Sequence, residues 1–224
     1  MIDAVLFDVD GTLVDSNYLH ATTWWQAFLQ HGHTVPMADV HRAIGMGSDK
    51  LLDHLLPGDR DRDADDAIRT AHSALYAQYW TRLKPFDGAA DLLRACHRRG
   101  SRVVLASSAA LPELKALRAA LDADDAIDEA TSSSEVGASK PAPDLVELAL
   151  ERAKVPAARA VFVGDTRWDV EAAARAGMPC VCVLTGGWSR EELREAGAAA
   201  VYDDPRARLG DLDGSPLTGA GSRA

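Results

Sequence analysis

The chain has 224 residues, of which 47% are hydrophobic and 26% charged, a balance typical of a globular protein in water. Its 34 acidic and 24 basic side chains give a formal net charge of −10, which argues against a nucleic-acid partner and against an anionic membrane. No apolar segment approaches the roughly 18 residues of a membrane span, and residues 1–20 lack the basic start and long apolar stretch of a leader, so we expect a cytoplasmic protein.

Four short apolar runs predict the strands of a sheet. Each is rich in valine and bounded by polar or glycine-containing turns; they are AVLF (4–7), RVVLA (102–106), AVFVG (160–164) and CVCVL (180–184). Helical patterns at 142–155 and 167–177 separate the later runs. This alternation predicts a Rossmann-like parallel sheet with helices on both faces, a three-layer α/β/α core. Cys96, Cys180 and Cys182 are expected to be reduced, buried thiols.

Residues 16–84 interrupt the alternation of strands and helices. They contain no strand-like run but several helical ones, namely YLHATTWWQAFLQHG, SDKLLDHLL and DDAIRTAHSALYAQYWTRL. We therefore expect a helical insertion over 16–84 after the first strand, with 1–15 and 85–212 forming the α/β core. The small, polar segment 213–224 is predicted to be disordered.

Polar side chains cluster at the predicted strand ends. They are Asp8 and Asp10 after the first run, Ser107 and Ser108 after the second, Lys140 before the helix at 142–155, and Asp165 and Asp169 after the run at 160–164. Because ligands bind beyond the carboxyl ends of parallel strands, we expect these groups to share one site. Two carboxylates ~4 Å apart repel by about 4 kcal/mol at an effective dielectric near 20, so the site requires a cation.

Magnesium meets this requirement, because it prefers oxygen ligands and keeps waters beside a bound phosphate. The lysine supplies a second positive charge, and a serine hydroxyl supplies a hydrogen bond to an oxyanion. A carboxylate nucleophile, a metal, a lysine and a hydroxyl together predict phosphoryl transfer.

The same segments resemble the four motifs of the haloacid dehalogenase-like superfamily, in order along the chain. The matching segments are DVDGTLVDS (8–16), VVLASS (103–108), SKPAPD (139–144) and VGDTRWD (163–169). The resemblance extends to about residue 212 and includes the helical cap inserted after the first motif. It is to the subgroup that holds phosphoglycolate phosphatases and β-phosphoglucomutases.

The resemblance implies a role for each matched catalytic residue. Asp8 would attack phosphorus and form an aspartyl-phosphate, while Asp10 would protonate the leaving oxygen and then deprotonate the attacking water. Ser107 and Lys140 would hold the phosphoryl oxygens, and Lys140 would also pair with Asp8. An acid two residues after the nucleophile favours an oxygen leaving group, because dehalogenases and phosphonoacetaldehyde hydrolases lack that acid.

The resemblance also implies a metal site and the groups around it. Asp8, Asp165 and the backbone carbonyl of Asp10 would hold Mg²⁺, and Asp169 would orient the metal shell directly or through water. Gly11 and Thr12 would shape the turn whose N–H groups contact phosphate, with Ser108 as a further substrate contact. In the cap, the candidates for substrate contact are His20, Arg42 and Lys50.

The leading hypothesis is a magnesium-dependent phosphatase for a small phosphorylated metabolite, of the sugar phosphate or phosphoglycolate type. The alternative is a β-phosphoglucomutase-like phosphomutase. An enzyme similar to phosphonoacetaldehyde hydrolase, with Lys50 as the Schiff base, is less favoured, as is a non-catalytic phospho-acceptor or binding module. We expect a monomer or weak dimer.

Overall fold

A computed structural model describes residues 2–212; the predicted disorder of 213–224 therefore concerns a segment outside the described residues. Six strands form one fully parallel sheet: β1 (Ala4–Phe7), β2 (Arg102–Ala106), β3 (Glu129–Thr131), β4 (Ala160–Gly164), β5 (Cys180–Val183) and β6 (Ala200–Tyr202). Their order is β3-β2-β1-β4-β5-β6. This is the doubly wound order of Rossmann-like folds, in which ligands bind where the order reverses, here between β1 and β4.

The sheet contains the four predicted strands and two that the sequence patterns did not indicate. The predicted strands occupy the centre, where Ala4 pairs with Arg102 on one side and with Ala160 on the other. The additional strands, β3 and β6, have three residues each and form the two edges. The prediction of a parallel α/β sheet is confirmed.

Helices connect the strands and cover the sheet. Those between β1 and β2 are α1 (Asn17–Gln30), α2 (Met37–Ala43), α3 (Ser48–Leu55), α4 (Asp65–Ala77) and α5 (Ala89–Arg98). The others are α6 (Leu111–Leu121), α7 (Asp144–Ala153), α8 (Arg167–Arg175), α9 (Arg190–Glu195) and α10 (Pro205–Gly210). The helices predicted at 142–155 and 167–177 correspond to α7 and α8.

Alternate residues of the central strands enter two separate hydrophobic cores. Val5 and Phe7 of β1 pack with α5 and α6 on one face, whereas Ala4 and Leu6 pack with α7, α8 and α9 on the other. Because side chains alternate along a strand, a fully apolar run buries both faces at once. The result is the predicted three-layer arrangement.

Helices α1 to α4 have a hydrophobic core of their own. It includes Trp24 and Phe28 of α1, Leu51 and Leu52 of α3, and Ile68 of α4. A buried ion pair reinforces this group, because the guanidinium of Arg60 donates two hydrogen bonds to the carboxylate of Asp65, from Nε at 2.9 Å and from Nη2 at 2.8 Å. The segment between β1 and α5 is therefore helical and separately packed.

The cysteines are free and buried, as predicted: Cys96 lies on the core-facing side of α5, and Cys180 and Cys182 lie on β5. Among residues 2–212, no helix combines the length and apolar character that crossing a membrane requires.

Candidate active site

The ends of β1 and β4 bring the predicted nucleophile against the predicted lysine. Asp8 directly follows β1, and its backbone N–H donates to the carbonyl of Val163 on β4 at 2.9 Å. The ammonium of Lys140 donates to Asp8 Oδ1 at 2.6 Å and to Asp169 Oδ1 at 2.8 Å. All three of these ionisable side chains are buried.

Burial and neighbouring charges set the protonation of this group. Burial raises the pKa of Asp8 to about 7, an effect that Asp169 and Asp10 reinforce and Lys140 opposes. Burial also disfavours the charge of Lys140, but the two carboxylates outweigh this effect and raise its pKa above the ordinary value. The lysine is thus a permanent cation beside the nucleophile.

Two polar side chains donate hydrogen bonds to Asp165, and two glycines leave the space that its carboxylate occupies. Its Oδ1 accepts a hydrogen bond from the Thr12 hydroxyl at 2.7 Å, and its Oδ2 accepts one from Asn17 Nδ2 at 2.8 Å. Gly11 has φ +74°, and a Cβ there would lie 2.5 Å from Asp165 Oδ2, so glycine is required for both conformation and space. A Cβ on Gly186 would come within 1.7 Å of the same oxygen. Asp165 is therefore fixed from several sides.

The donor atoms around Asp165 suit a hard divalent cation. Carboxylate oxygens of Asp8, Asp165 and Asp169 lie within 4.8 Å of one another. Burial raises the pKa of Asp165 well above its ordinary value, and the negative charges of Asp169 and Asp8 add to this effect. An all-oxygen set of converging buried carboxylates is the chemistry that Mg²⁺ favours, and a bound cation would relieve their repulsion.

Both oxygens of Asp169 accept hydrogen bonds, as those of Asp165 do, but one of the partners of Asp169 is a cation. Oδ1 faces Lys140, while Oδ2 accepts from the hydroxyl of Thr166 at 2.7 Å and from its backbone N–H at 3.0 Å. Thr166 and Asp169 form the capping box of α8. Asp169 is therefore placed to orient Lys140, whereas the partners of Asp165 are neutral side chains.

Asp10 has a different set of partners. Its Oδ1 accepts from the Ser16 hydroxyl at 2.5 Å and lies 3.2 Å from His20 Nε2. Burial opposes ionisation of Asp10, but the charge and hydrogen bonds of its neighbours, chiefly His20, hold its pKa below the ordinary range. His20, a predicted substrate contact, is thus within hydrogen-bond distance of the predicted general acid.

His20 also joins two groups that sequence reasoning missed. Its Nε2 lies 3.3 Å from Glu113 Oε1 on α6, and its Nδ1 lies 3.2 Å from His72 Nε2 on α4. Burial lowers the pKa of His20, but Asp10 and Glu113 outweigh it and raise the value to about 10. For His72, burial and the charge of His20 act together and lower the pKa well below the ordinary value.

The predicted serines follow β2 beside the cavity. Ser107 is fully buried, and its Oγ accepts the backbone N–H of Ala109 at 3.0 Å. Ser108 lines the cavity, and its buried Oγ has no hydrogen-bond partner within residues 2–212. The Ser108 hydroxyl is therefore available to an oxygen of a bound substrate.

A cavity of about 140 Å³ lies between these groups and helices α1 to α4. Arg42 and Lys50 are not among its lining residues. The guanidinium of Arg42 pairs with Glu192 and lies 4.1 Å from the ring centre of Trp188, and Lys50 Nζ lies 3.9 Å from Asp49. Arg69 of α4 is the cap arginine that lines the cavity.

The comparisons with known proteins agree with this geometry. A family model described as haloacid dehalogenase-like hydrolase matches residues 2–177. The chain belongs to this family. The hydrolase is 34% identical to a phosphoglycolate phosphatase of Rhodospirillum rubrum, over 98% of this chain and 94% of the relative.

Two further comparisons extend over nearly the whole chain. The hydrolase is 32% identical to the protein CbbY of Cereibacter sphaeroides, over 97% of this chain and 98% of the relative. A solved structure of a hydrolase from Pseudomonas syringae superposes with a TM-score of 0.89 and 29% identity, covering 94% of this chain and 98% of that one.

Proposed function

We propose that this hydrolase cleaves phosphoric monoesters of small metabolites with the help of Mg²⁺. The observation that carries the proposal is the contact of Lys140 with both Asp8 and Asp169. These two carboxylates lie close to that of Asp165, and Asp10, two residues after Asp8, has a separate set of partners. Sequence similarity over nearly the whole chain to a relative named phosphoglycolate phosphatase supports it.

The nucleophile and the lysine act on the phosphoryl group. A carboxylate oxygen of Asp8 attacks phosphorus, the bond from phosphorus to the ester oxygen breaks, and an aspartyl-phosphate forms. Lys140 balances the negative charge of the phosphoryl oxygens while keeping Asp8 aligned. Asp8 and Asp165 would hold Mg²⁺, which when bound supplies further charge stabilisation to those oxygens.

Asp10 moves the protons. In its protonated form it gives a proton to the departing alcohol oxygen, and as a carboxylate it then takes one from the water that attacks the aspartyl-phosphate, releasing inorganic phosphate and restoring Asp8. Ser16 and His20 fix the orientation of its carboxylate. A neighbouring acid of this kind is needed for alkoxide leaving groups, which supports ester hydrolysis.

Residues 16–84 serve as the cap in this proposal, with 1–15 and 85–212 as the catalytic core. Three contacts support the role, because they join the helical segment to loops at the strand ends. Trp168 Nε1 donates to the carbonyl of Arg42 at 3.0 Å, His41 Nε2 lies 3.0 Å from the carbonyl of Gly186, and the Ser139 hydroxyl bonds to Asp49.

The substrate is proposed to be a small phosphorylated metabolite of the sugar phosphate or phosphoglycolate type, handled in the cytoplasm. The cavity volume, the named phosphatase relative and the free thiols support this assignment. The expectation of a monomer or weak dimer stays a prediction.

The test is hydrolysis of p-nitrophenyl phosphate by the purified chain. Activity should require Mg²⁺ and stop with EDTA, and Asp8→Asn should lower kcat by about 1000-fold or more, because an amide does not replace the nucleophile. Asp15→Asn is the matched control, since Asp15 lies in the same motif but is exposed.

Full activity of Asp8→Asn, or activity indifferent to EDTA, would contradict the proposed mechanism. The same preparation incubated with a hexose 1-phosphate separates the alternative. Release of inorganic phosphate supports a phosphatase, whereas isomerisation to the 6-phosphate without release would show a phosphomutase.

A further inference from the structure

The carboxylate of Glu113 lies beside the place in the cavity that the leaving group of a bound substrate would occupy. Suitable atoms of Asp10, His20 and Glu113 lie within 4.8 Å of one another, and all three residues line the cavity. Since Asp10 must reach the ester oxygen, the first carbon atoms of the leaving group come next to Glu113. The Glu113 side chain is only 14% exposed; burial raises its pKa, and the hydrogen bond and charge of His20 oppose this rise.

The cavity offers little positive charge to balance Glu113. The ring of His20 lies between the carboxyl groups of Asp10 and Glu113, with Nε2 at 3.2 Å and 3.3 Å from their oxygens. His72 lies on the other side of His20, with its Nε2 at 3.2 Å from His20 Nδ1. The leaving-group end of the cavity therefore presents two carboxyl groups that share one histidine.

The remaining cations of the lining are already engaged by carboxylates. Lys140 lies between Asp8 and Asp169. Arg69 contacts Asp66 at 2.6 Å and has Asp65 at 4.0 Å. A negatively charged group next to the ester carbon would thus be repelled by Glu113, and each Lys or Arg side chain of this lining is already paired with a carboxylate.

Hydroxyl groups make up much of the polar lining that is left. They belong to Ser48, Ser73, Ser108 and Ser133. A leaving group with its own hydroxyls can donate to the Glu113 carboxylate and exchange hydrogen bonds with these serines.

We propose that Glu113 is a specificity-determining residue that selects neutral, hydroxyl-bearing leaving groups and rejects those with a carboxylate adjacent to the ester carbon. This inference rests on the proposed phosphatase function. The R. rubrum relative is named for phosphoglycolate, a carboxylate-bearing substrate that this chain is expected to disfavour.

The experiment compares two substrates of nearly equal size, 2-phosphoglycolate and 2-hydroxyethyl phosphate, with p-nitrophenyl phosphate as a common reference. The wild-type chain should show at least a tenfold higher kcat/KM for 2-hydroxyethyl phosphate. Glu113→Gln, which keeps size and removes the charge, should bring the ratio to within about threefold, whereas Glu113→Asp should preserve the preference. Because the ratio is taken within each variant, a general loss of active protein cancels.

Equal use of both substrates, or a preference for 2-phosphoglycolate in the wild-type chain, would overturn the assignment of Glu113, as would a ratio unchanged in Glu113→Gln. Failure to hydrolyse any of the three substrates would refute the proposed function and this inference with it. Hydrolysis without discrimination would refute the inference alone.

Discussion

Gly186 supplies a direct test of whether the position of Asp165 matters to the enzyme. In Gly186→Ala the added Cβ would lie 1.7 Å from Asp165 Oδ2 and 2.9 Å from Asn17 Nδ2, closer than real Cβ contacts allow. Asp165 is fully buried and held by Thr12 and Asn17. Its carboxylate must therefore move by roughly 1 Å or more and weaken at least one of these hydrogen bonds.

The magnitude follows from the two consequences of that movement. Loss of a hydrogen bond to a charged group costs about 1.5–3 kcal/mol, which should appear as a lower free energy of unfolding. Displacement of a carboxylate that would hold Mg²⁺ should weaken the apparent metal affinity by about 10- to 100-fold. We also expect kcat/KM at saturating Mg²⁺ to fall by about 100-fold.

The assay is the rate of p-nitrophenyl phosphate hydrolysis as a function of Mg²⁺ concentration, with urea unfolding measured in parallel. Gly58→Ala is the matched control, because Gly58 is exposed and its Cβ would meet nothing within 4 Å. If Gly186→Ala kept both the wild-type Mg²⁺ dependence and the wild-type rate, the placement of Asp165 as a metal-holding carboxylate would be refuted.

Two predictions concern other parts of the molecule. Burial raises the pKa of Cys96 to about 11 and that of Cys180 well above its ordinary value. The folded chain should therefore not react with 5,5′-dithiobis(2-nitrobenzoate) at pH 8, whereas the unfolded chain should release three equivalents of the chromophore. Rapid reaction of the folded chain would contradict this prediction. Hydrogen bonds from Arg60 keep the pKa of Asp65 below its ordinary value, so this pair stabilises the fold above about pH 4 and loses its effect as the pH falls further. Asp65→Asn should therefore cost about 2 kcal/mol of unfolding free energy at pH 7 and less at pH 3.5, and an equal loss at both would show that charge is not involved.

The sequence predicts the centre of the sheet better than its edges. The β1, β2, β4 and β5 runs stand out because burial on both faces demands continuous apolar residues. The edge strands β3 and β6 have three residues each, and β3 begins with the exposed Glu129. A run that short carries no periodicity that could separate a strand from a loop.

The same contrast holds within the site. Asp8, Lys140 and Asp169 could be grouped from sequence because they follow strands or precede helices whose ends must converge. Asn17 lies 148 residues from the carboxylate that it holds, and no local pattern indicates such a contact. Helical spacing likewise does not tell which residue of α1 to α4 turns inward, so the sequence indicates Arg42 as a substrate contact, whereas Arg69 lines the cavity.

Asp8 and Asp10, the proposed nucleophile and acid, lie two residues apart, yet different parts of the chain supply their hydrogen-bond partners. Lys140, which precedes α7, donates a hydrogen bond to Asp8 and balances its negative charge, whereas His20 of α1 and Ser16 contact the carboxylate of Asp10. A nucleophile must be ionised beside an anionic phosphate, while an acid must exchange its proton with a leaving group, so the two need separate electrostatic partners. Ser16 directly precedes α1 and His20 belongs to it, so the proposed mechanism links the orientation of Asp10 to the helical segment that lines the cavity.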